Sequence, residues 1–168
     1  EPENNWGGPV SLSSDGTTVA IGAPVHDGNG MKPGLAAVYR FDTGSSTWIQ
    51  MGSDILGSGD DWDLFGESVS LNSDGSTVAI GVPSARGGFG QVRVYNFDTG
   101  SSTWIQVGSN IDGKSQFDNS GYSVSLSSDG TTVAIGAPNN ATSGDTGDGT
   151  VRIYSFDSGS STWTQVGG

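Results

Sequence analysis

Cysteine is absent, histidine occurs once, and lysine and arginine together number only six in 168 residues. The first absence excludes a disulfide framework, thiolate zinc sites and cysteine nucleophiles. The shortage of base stands against 18 aspartates and glutamates, a formal net charge of −12. It argues against nucleic acid as a partner, because phosphate binding needs clustered Lys and Arg. No apolar stretch approaches the ~18 residues of a membrane span; the best, residues 19–25, contains a glycine and a proline. Hydrophobic residues make up only 32%, a disorder-like value, yet five tryptophans, six phenylalanines and 29 glycines describe something other than a solvated coil. The length suits one domain or a small assembly of repeats. Opening on Glu1 rather than methionine, the chain is expected to be processed or excised from something longer.

What is present is a repeat. VSLSSDGTTVAIGAP at Val10–Pro24 recurs unchanged at Val124–Pro138, with VSLNSDGSTVAIGVP at Val69–Pro83 between them. A second block, FDTGSSTW, occupies Phe41–Trp48 and Phe97–Trp104, and FDSGSSTW occupies Phe156–Trp163. Asp15, Asp74 and Asp129 are spaced by 59 and 55 residues, and Trp48, Trp104 and Trp163 by 56 and 59. Three units therefore fill the chain, with boundaries placed at 6–64, 65–119 and 120–168.

Each unit reads as four short antiparallel strands. Val10 and Leu12 alternate with Ser11 and Ser13, the period of two of a strand. Ser14-Asp15-Gly16-Thr17 follows as a hairpin, with Asp-Gly expected to form a two-residue turn of positive φ. The second strand starts at Thr18 and ends before Pro24, which cannot donate to a ladder. The third is clearest at Gln91–Phe97, and Asp98–Ser102 turns the chain into a fourth at Thr103–Val107. No window carries a helical period, so helix content should be near zero.

Apolar groups lie on both faces of these strands: Val92 and Val94 on one, Tyr95 and Phe97 on the other. Such a sheet needs cover on both sides. Small four-stranded sheets stacked face to face are the blades of a β-propeller. The chain is expected to be all-β and propeller-like. A flat β-solenoid is the rival, but its repeats are usually shorter and lack two tight hairpins per unit.

Phe65-Gly66 before a first strand and Gly81-Val82-Pro83 after a second resemble the FG-GAP repeat of integrin α-subunit propellers. Gly22-Ala23-Pro24 and Gly136-Ala137-Pro138 match the second half of the motif, with Trp6-Gly7 and Ser120-Gly121 in the place of the first. The resemblance implies a blade whose innermost strand comes first, a secreted or cell-surface setting, and a non-enzymatic role in adhesion or recognition of a protein or matrix ligand. A carbohydrate-binding propeller is the alternative, and a glycoside hydrolase-like one a third reading. In calcium-binding relatives the first hairpin is a DxDxDG-type run, since Ca²⁺ takes six to eight oxygens. Here it shrinks to Ser-Asp-Gly-Thr, so those calcium sites are not carried over, and no other cofactor is implied.

Three blades cannot cover their own ends. A blade face of four strands spans roughly 330 Å², and leaving it wet forfeits on the order of 8 kcal/mol, comparable to the stability of a small domain. The expected solution is a homodimer, two copies joined head to tail into a six-bladed ring. A truncated piece of a larger ring is the alternative.

Chemical candidates are few, and no catalytic residue is assigned. His26 beside Asp27 could act as a base, but no nucleophile motif accompanies it, and Glu67 is the only glutamate outside the N-terminal tail. Asp42–Trp48 resembles the Asp-box hairpin of sialidase propellers, a structural element whose carboxylate ties the turn. The acid-rich loops are the better candidates, because binding is often built on loops of a rigid scaffold. Asp60, Asp61, Trp62 and Asp63 form a candidate binding loop between blades, with Trp62 free to stack on a sugar or protein. Asp145 and Asp148, separated by small residues, are a candidate hard-cation pair for Ca²⁺. Asn140-Ala141-Thr142 is a glycosylation sequon, meaningful only in a secreted eukaryotic protein.

Overall fold

Four residues rather than two turn the chain between the first and second strands of each unit. In the first unit Ser13 N–H donates to Thr18 O (2.9 Å) and Gly16 N–H to Ser13 O (3.0 Å), and within this turn only Gly16 takes a positive φ, +71°. The expected two-residue turn requires positive φ at both central positions. Asp15 keeps an ordinary φ because its carboxylate braces the wider turn instead. It accepts from Ser13 Oγ (2.6 Å), Thr17 N–H (3.0 Å) and Thr17 Oγ1 (2.9 Å). Asp129 repeats this with Ser127 Oγ and Thr131 N–H.

The computed structural model describes residues 8–26, 33–57, 63–139 and 148–167. The first sheet comprises β1 (Val10–Leu12), β2 (Thr18–Ala23), β3 (Leu35–Asp42) and β4 (Thr47–Gln50) in sequential order, with β5 (Ile55–Leu56) also pairing to β3. The second comprises β6 (Ser68–Leu71), β7 (Thr77–Val82), β8 (Gln91–Asp98) and β9 (Thr103–Gln106), with β10 (Ile111–Asp112) on β8. The third comprises β11 (Ser123–Leu126), β12 (Thr132–Ala137), β13 (Thr150–Asp157) and β14 (Thr162–Val166). All pairings between these strands are antiparallel. The short strands β5 and β10 lie where a loose loop was expected. They pair with the first half of the long third strand, beyond the reach of the four-residue fourth strand.

Helix among the described residues is confined to α1 (Ala85–Gly88), a single turn in which Arg86 (φ +57°) and Gly87 (φ +70°) sit in the left-handed region.

The sheets stack as blades, with the first strands β1, β6 and β11 packed in succession. Blade two is covered on both sides, and all six residues of β7 are buried. On its first side Val69, Leu71, Val78, Ile80 and Tyr95 meet Ala20, Ala36, Val38, Met51 and Ile55 of blade one. On its second side Ala79, Val92, Val94 and Ile111 meet Leu126, Val133 and Ile135 of blade three. The end blades show the complementary half-patterns. In β2, Thr18, Ala20 and Gly22 are buried while Val19 and Ile21 are partly open; in β12, Val133, Ile135 and Ala137 are buried while Thr132, Ala134 and Gly136 are partly open.

Polar contacts repeat across both blade junctions. Ser11 Oγ accepts from Leu71 N–H (3.0 Å) and Ser70 Oγ from Leu126 N–H (2.9 Å). Ser14 N–H donates to Ser73 O and Ser73 N–H to Ser128 O. The Trp104 indole N–H donates to Met51 O (2.7 Å), and that of Trp163 to Val107 O (2.9 Å).

The glycine motif now has a physical reason. A Cβ on Gly22 would fall 2.0 Å from Gly66 O, and one on Gly81 2.0 Å from Gly121 O. The GAP glycine of one blade is the floor on which the glycine preceding the next blade's first strand rests, and Gly66 and Gly121 themselves take φ near +90°.

Candidate functional site

The Asp-box-like hairpins are structural in their bonding. Asp42 accepts from Ser45 N–H (2.9 Å) and Ser45 Oγ (2.6 Å), and Asp98 and Asp157 do the same with Ser101 and Ser160 through the serine hydroxyls. These bonds hold each carboxyl below the usual carboxylate range. Each aspartate follows a phenylalanine that packs on the cross-strand tryptophan, with centroids 5.5, 5.2 and 5.2 Å apart. Carboxylates already filled by their own turns have little capacity left for a ligand.

The opposite end of the blades, where second strands run to third strands and one blade runs to the next, carries the less regular chemistry. Leu64, Arg86, Phe117 and Asn119 all take positive φ there, a conformation that costs a non-glycine residue about 1 kcal/mol or more and concentrates at functional sites. Phe117 holds φ +68° while 66% exposed. Its backbone packs at the position of Gly88, where a Cβ would meet Phe117 Cα at 3.3 Å. Arg86, exposed on the neighbouring loop, pairs with Asp112 (2.5 Å) and lies 6.0 Å from the Phe89 ring. Asn119 ties the rim together: its Nδ2 donates to Pro83 O (3.3 Å) and its Oδ1 accepts from Asn139 Nδ2 (2.8 Å).

Of the loop singled out from the sequence, Asp60, Asp61 and Trp62 lie outside the described residues, and Asp63 does not stand on the open surface. It is buried (9% exposed), and its carbonyl accepts from Ser84 N–H. Asp63 is the repeat counterpart of Asp118, which is 1% exposed, accepts from Ser115 N–H (3.0 Å) and lies 3.8 Å from Arg152 Nη1. Arg93, the counterpart of Arg152, is likewise buried and sits 5.5 Å over the Phe65 ring. These interior charges anchor the loop between blades. Trp62, by the same register, is the counterpart of Phe117, so the aromatic-acid pair Trp62-Asp63 recurs as Phe117-Asp118. A lone phenylalanine in a polar loop, Phe117 carries no sequence signal until the repeats are aligned to the last residue.

Asp145 lies outside the described residues, and Asp148 is exposed at the edge of blade three. No group of three or more His, Asp or Glu side chains suited to a metal occurs among the described residues. His26 is half-buried, with its N–H on Ala23 O (3.2 Å). Burial raises the Glu67 carboxyl above its ordinary range. Neither His26 nor Glu67 lines the clefts beside Gly136, Met51, Trp104 or Trp48. No helix of the described residues is long and apolar enough to cross a membrane.

No protein-family profile and no curated protein sequence matches the chain. Solved structures do resemble it. Sqt1 of Saccharomyces cerevisiae superposes with a TM-score of 0.55 at 15% identity over 98% of this chain and 35% of its own. A candidate 6-phosphogluconolactonase of Bacteroides uniformis gives 0.56 at 11% identity over 94% and 38%. The periplasmic gluconolactonase of Pseudomonas aeruginosa gives 0.55 at 18% identity over 89% and 39%. The chain thus spans little more than a third of the length of these proteins. One expectation from the sequence is corrected here. The chain was read as no enzyme for want of a catalytic motif, yet proteins described as lactonases share its scaffold, so a propeller without a recognisable motif is no ground for excluding catalysis. What the chain and these structures have in common is an all-β, propeller-like fold.

Proposed function

We propose that the chain is a propeller-type recognition module of the FG-GAP kind, working outside the cell, in which the irregular rim of loops binds a protein or matrix ligand. Three blades form half of a six-bladed ring that a second copy completes. The observation that carries the reading is Phe117, an exposed aromatic held at positive φ beside an exposed arginine. Aromatic and arginine side chains dominate the energetics of protein interfaces, and a strained conformation fixed by the surrounding loops presents the ring without an ordering cost on binding. The packing of Gly66 on Gly22 and Gly121 on Gly81 supports the FG-GAP resemblance, since a side chain at any of these four positions would clash.

Binding of the purified chain to an array of extracellular matrix proteins and of glycans tests the proposal. A protein ligand whose affinity falls at least tenfold in Phe117→Ala and in Arg86→Ala is expected. Glycan binding alone would replace it with the carbohydrate-binding reading. A second reading, hydrolysis of a sugar lactone, is favoured by the two lactonase neighbours. Release of acid from glucono-δ-lactone, followed by pH-stat, would establish it.

A further inference from the structure

Every blade carries the same seven side chains on one face. Val10, Leu12, Val19, Ile21, Tyr39, Phe41 and Trp48 of blade one are identical in kind to Val69, Leu71, Val78, Ile80, Tyr95, Phe97 and Trp104 of blade two, and to Val124, Leu126, Val133, Ile135, Tyr154, Phe156 and Trp163 of blade three. In blades two and three this face is packed against the preceding blade; in blade one it is open, so that Val10 is 62% exposed where Val69 is 8%. At the other end the opposite face is open: Val151 is 68% exposed where its counterpart Val92 is fully buried, and Ile153 and Val166 are exposed with it.

The polar contacts are divided in the same way. Trp104 and Trp163 each donate an indole N–H to a carbonyl of the preceding blade, at Met51 and Val107; the next carbonyl in that series belongs to Val166, and the unmatched indole to Trp48. Ser11 and Ser70 Oγ each receive an N–H from the following blade, and the next hydroxyl is that of Ser125. Ser14 and Ser73 each donate to the following blade, and the next donor is Ser128. Among the described residues the Trp48 indole and the Ser125 and Ser128 hydroxyls make no hydrogen bond. Beside Gly136 a cleft of about 470 Å³, lined by Tyr122, Gly136, Pro138, Asp148 and Val151 among others, lies where Gly66 and Gly121 rest on the other two blades.

We infer that these two flanks are the two halves of one blade–blade seam, and that a second copy of the chain supplies the missing half at each end, reproducing the internal junctions contact for contact. The inference rests on the two-copy ring proposed above and adds the register of the join. The Trp48 indole donates to Val166 O of the other copy, Ser125 Oγ receives Leu12 N–H, and Ser128 donates to Ser14 O. A foreign partner would have to imitate a face this chain already makes three times, and the chain itself holds the matching surface.

Sedimentation of the 168-residue chain and cross-linking of the double variant Ser14→Cys, Ser128→Cys test this together; the native chain has no cysteine to interfere. The seam predicts a mass near twice 17.1 kDa, association weakened at least 100-fold in Ile153→Asp, and a covalent dimer from the double variant on a non-reducing gel. A 17.1 kDa particle at micromolar concentration overturns both ring and seam. A dimer that neither cross-links nor responds to Ile153→Asp leaves the ring standing and overturns the seam. Cross-linked ladders beyond the dimer leave the contact standing and overturn closure by two copies.

Discussion

Alanine at Gly81 should destabilise the protein strongly, while alanine at the same repeat position, Gly136, should not. A Cβ on Gly81 would stand 2.0 Å from Gly121 O and 2.2 Å from Ser68 Oγ, the two atoms that are themselves joined by a 2.8 Å hydrogen bond. Ordinary contact requires Gly121 O to retreat by more than 1 Å. It has nowhere to go, because Gly121 is itself wedged against Gln91 O, with its own hypothetical Cβ only 2.5 Å away. Overpacking of this kind costs about 3 kcal/mol. Against it stands the backbone entropy that alanine removes from the unfolded chain, about 0.5–1 kcal/mol in favour of the variant. The clash wins, leaving a net loss of roughly 2–2.5 kcal/mol and a fall in Tm of about 4–10 °C for a protein of this size. At Gly136 the one close atom is Ser123 Oγ at 2.3 Å, which can rotate away, and the next contacts lie beyond 3.5 Å. Gly136→Ala should therefore be neutral or slightly stabilising. Urea unfolding followed by tryptophan fluorescence, in an Ile153→Asp background so that association does not contribute, measures both. If the two variants fall within about 0.5 kcal/mol of each other, the account of the glycine motif is wrong.

Trp104→Phe should cost about 1–2 kcal/mol, the net value of a part-buried hydrogen bond plus the carbonyl it strands at Met51, whereas Trp48→Phe should be silent in the dissociated chain and weaken the dimer; the two unfolding and sedimentation curves separate these effects. Asp15 and Asp129 are held to about 2, first by the serine hydroxyl and then by the Thr N–H. Because their folded values lie below the unfolded one, their stabilisation is whole above about pH 4 and is lost as pH falls toward 2. Urea midpoints between pH 5 and 2 should fall more steeply for the native chain than for Asp15→Asn, Asp129→Asn; parallel curves would refute the turn brace.

Much of this was legible in the residues because it is local. Alternation of Val and Ser gave the strands, the Ser-Asp-Gly and Asp-Thr-Gly blocks gave the hairpins, and the exactness of the repeat implied that one blade's pairing would serve for all. The turn length was misjudged because Asp-Gly alone does not reveal that Asp15 prefers three donors of its own hairpin to a left-handed conformation. The short strands β5 and β10 were missed because two residues carry no period. The rim was the least legible part. Asp63 read as a ligand-binding acid from its company in an acidic loop, but its depth depends on how the preceding blade packs, which no nearby residue encodes. Arg86 and Phe117 came forward only through their backbone conformation.

The sequence by itself determined that three near-identical sheets form, that each has two apolar faces, and that glycine must stand where blades touch, since all of these follow from patterns within about 57 residues. Only the tertiary structure decided which of those identical faces are covered. Val69 and Val10 are the same residue at the same place in the repeat, each followed by Ser-Leu; one is buried and the other open because a described blade packs against the first and none against the second. Burial is a property of what lies alongside, and a repeat cannot specify from within any one copy where the series stops.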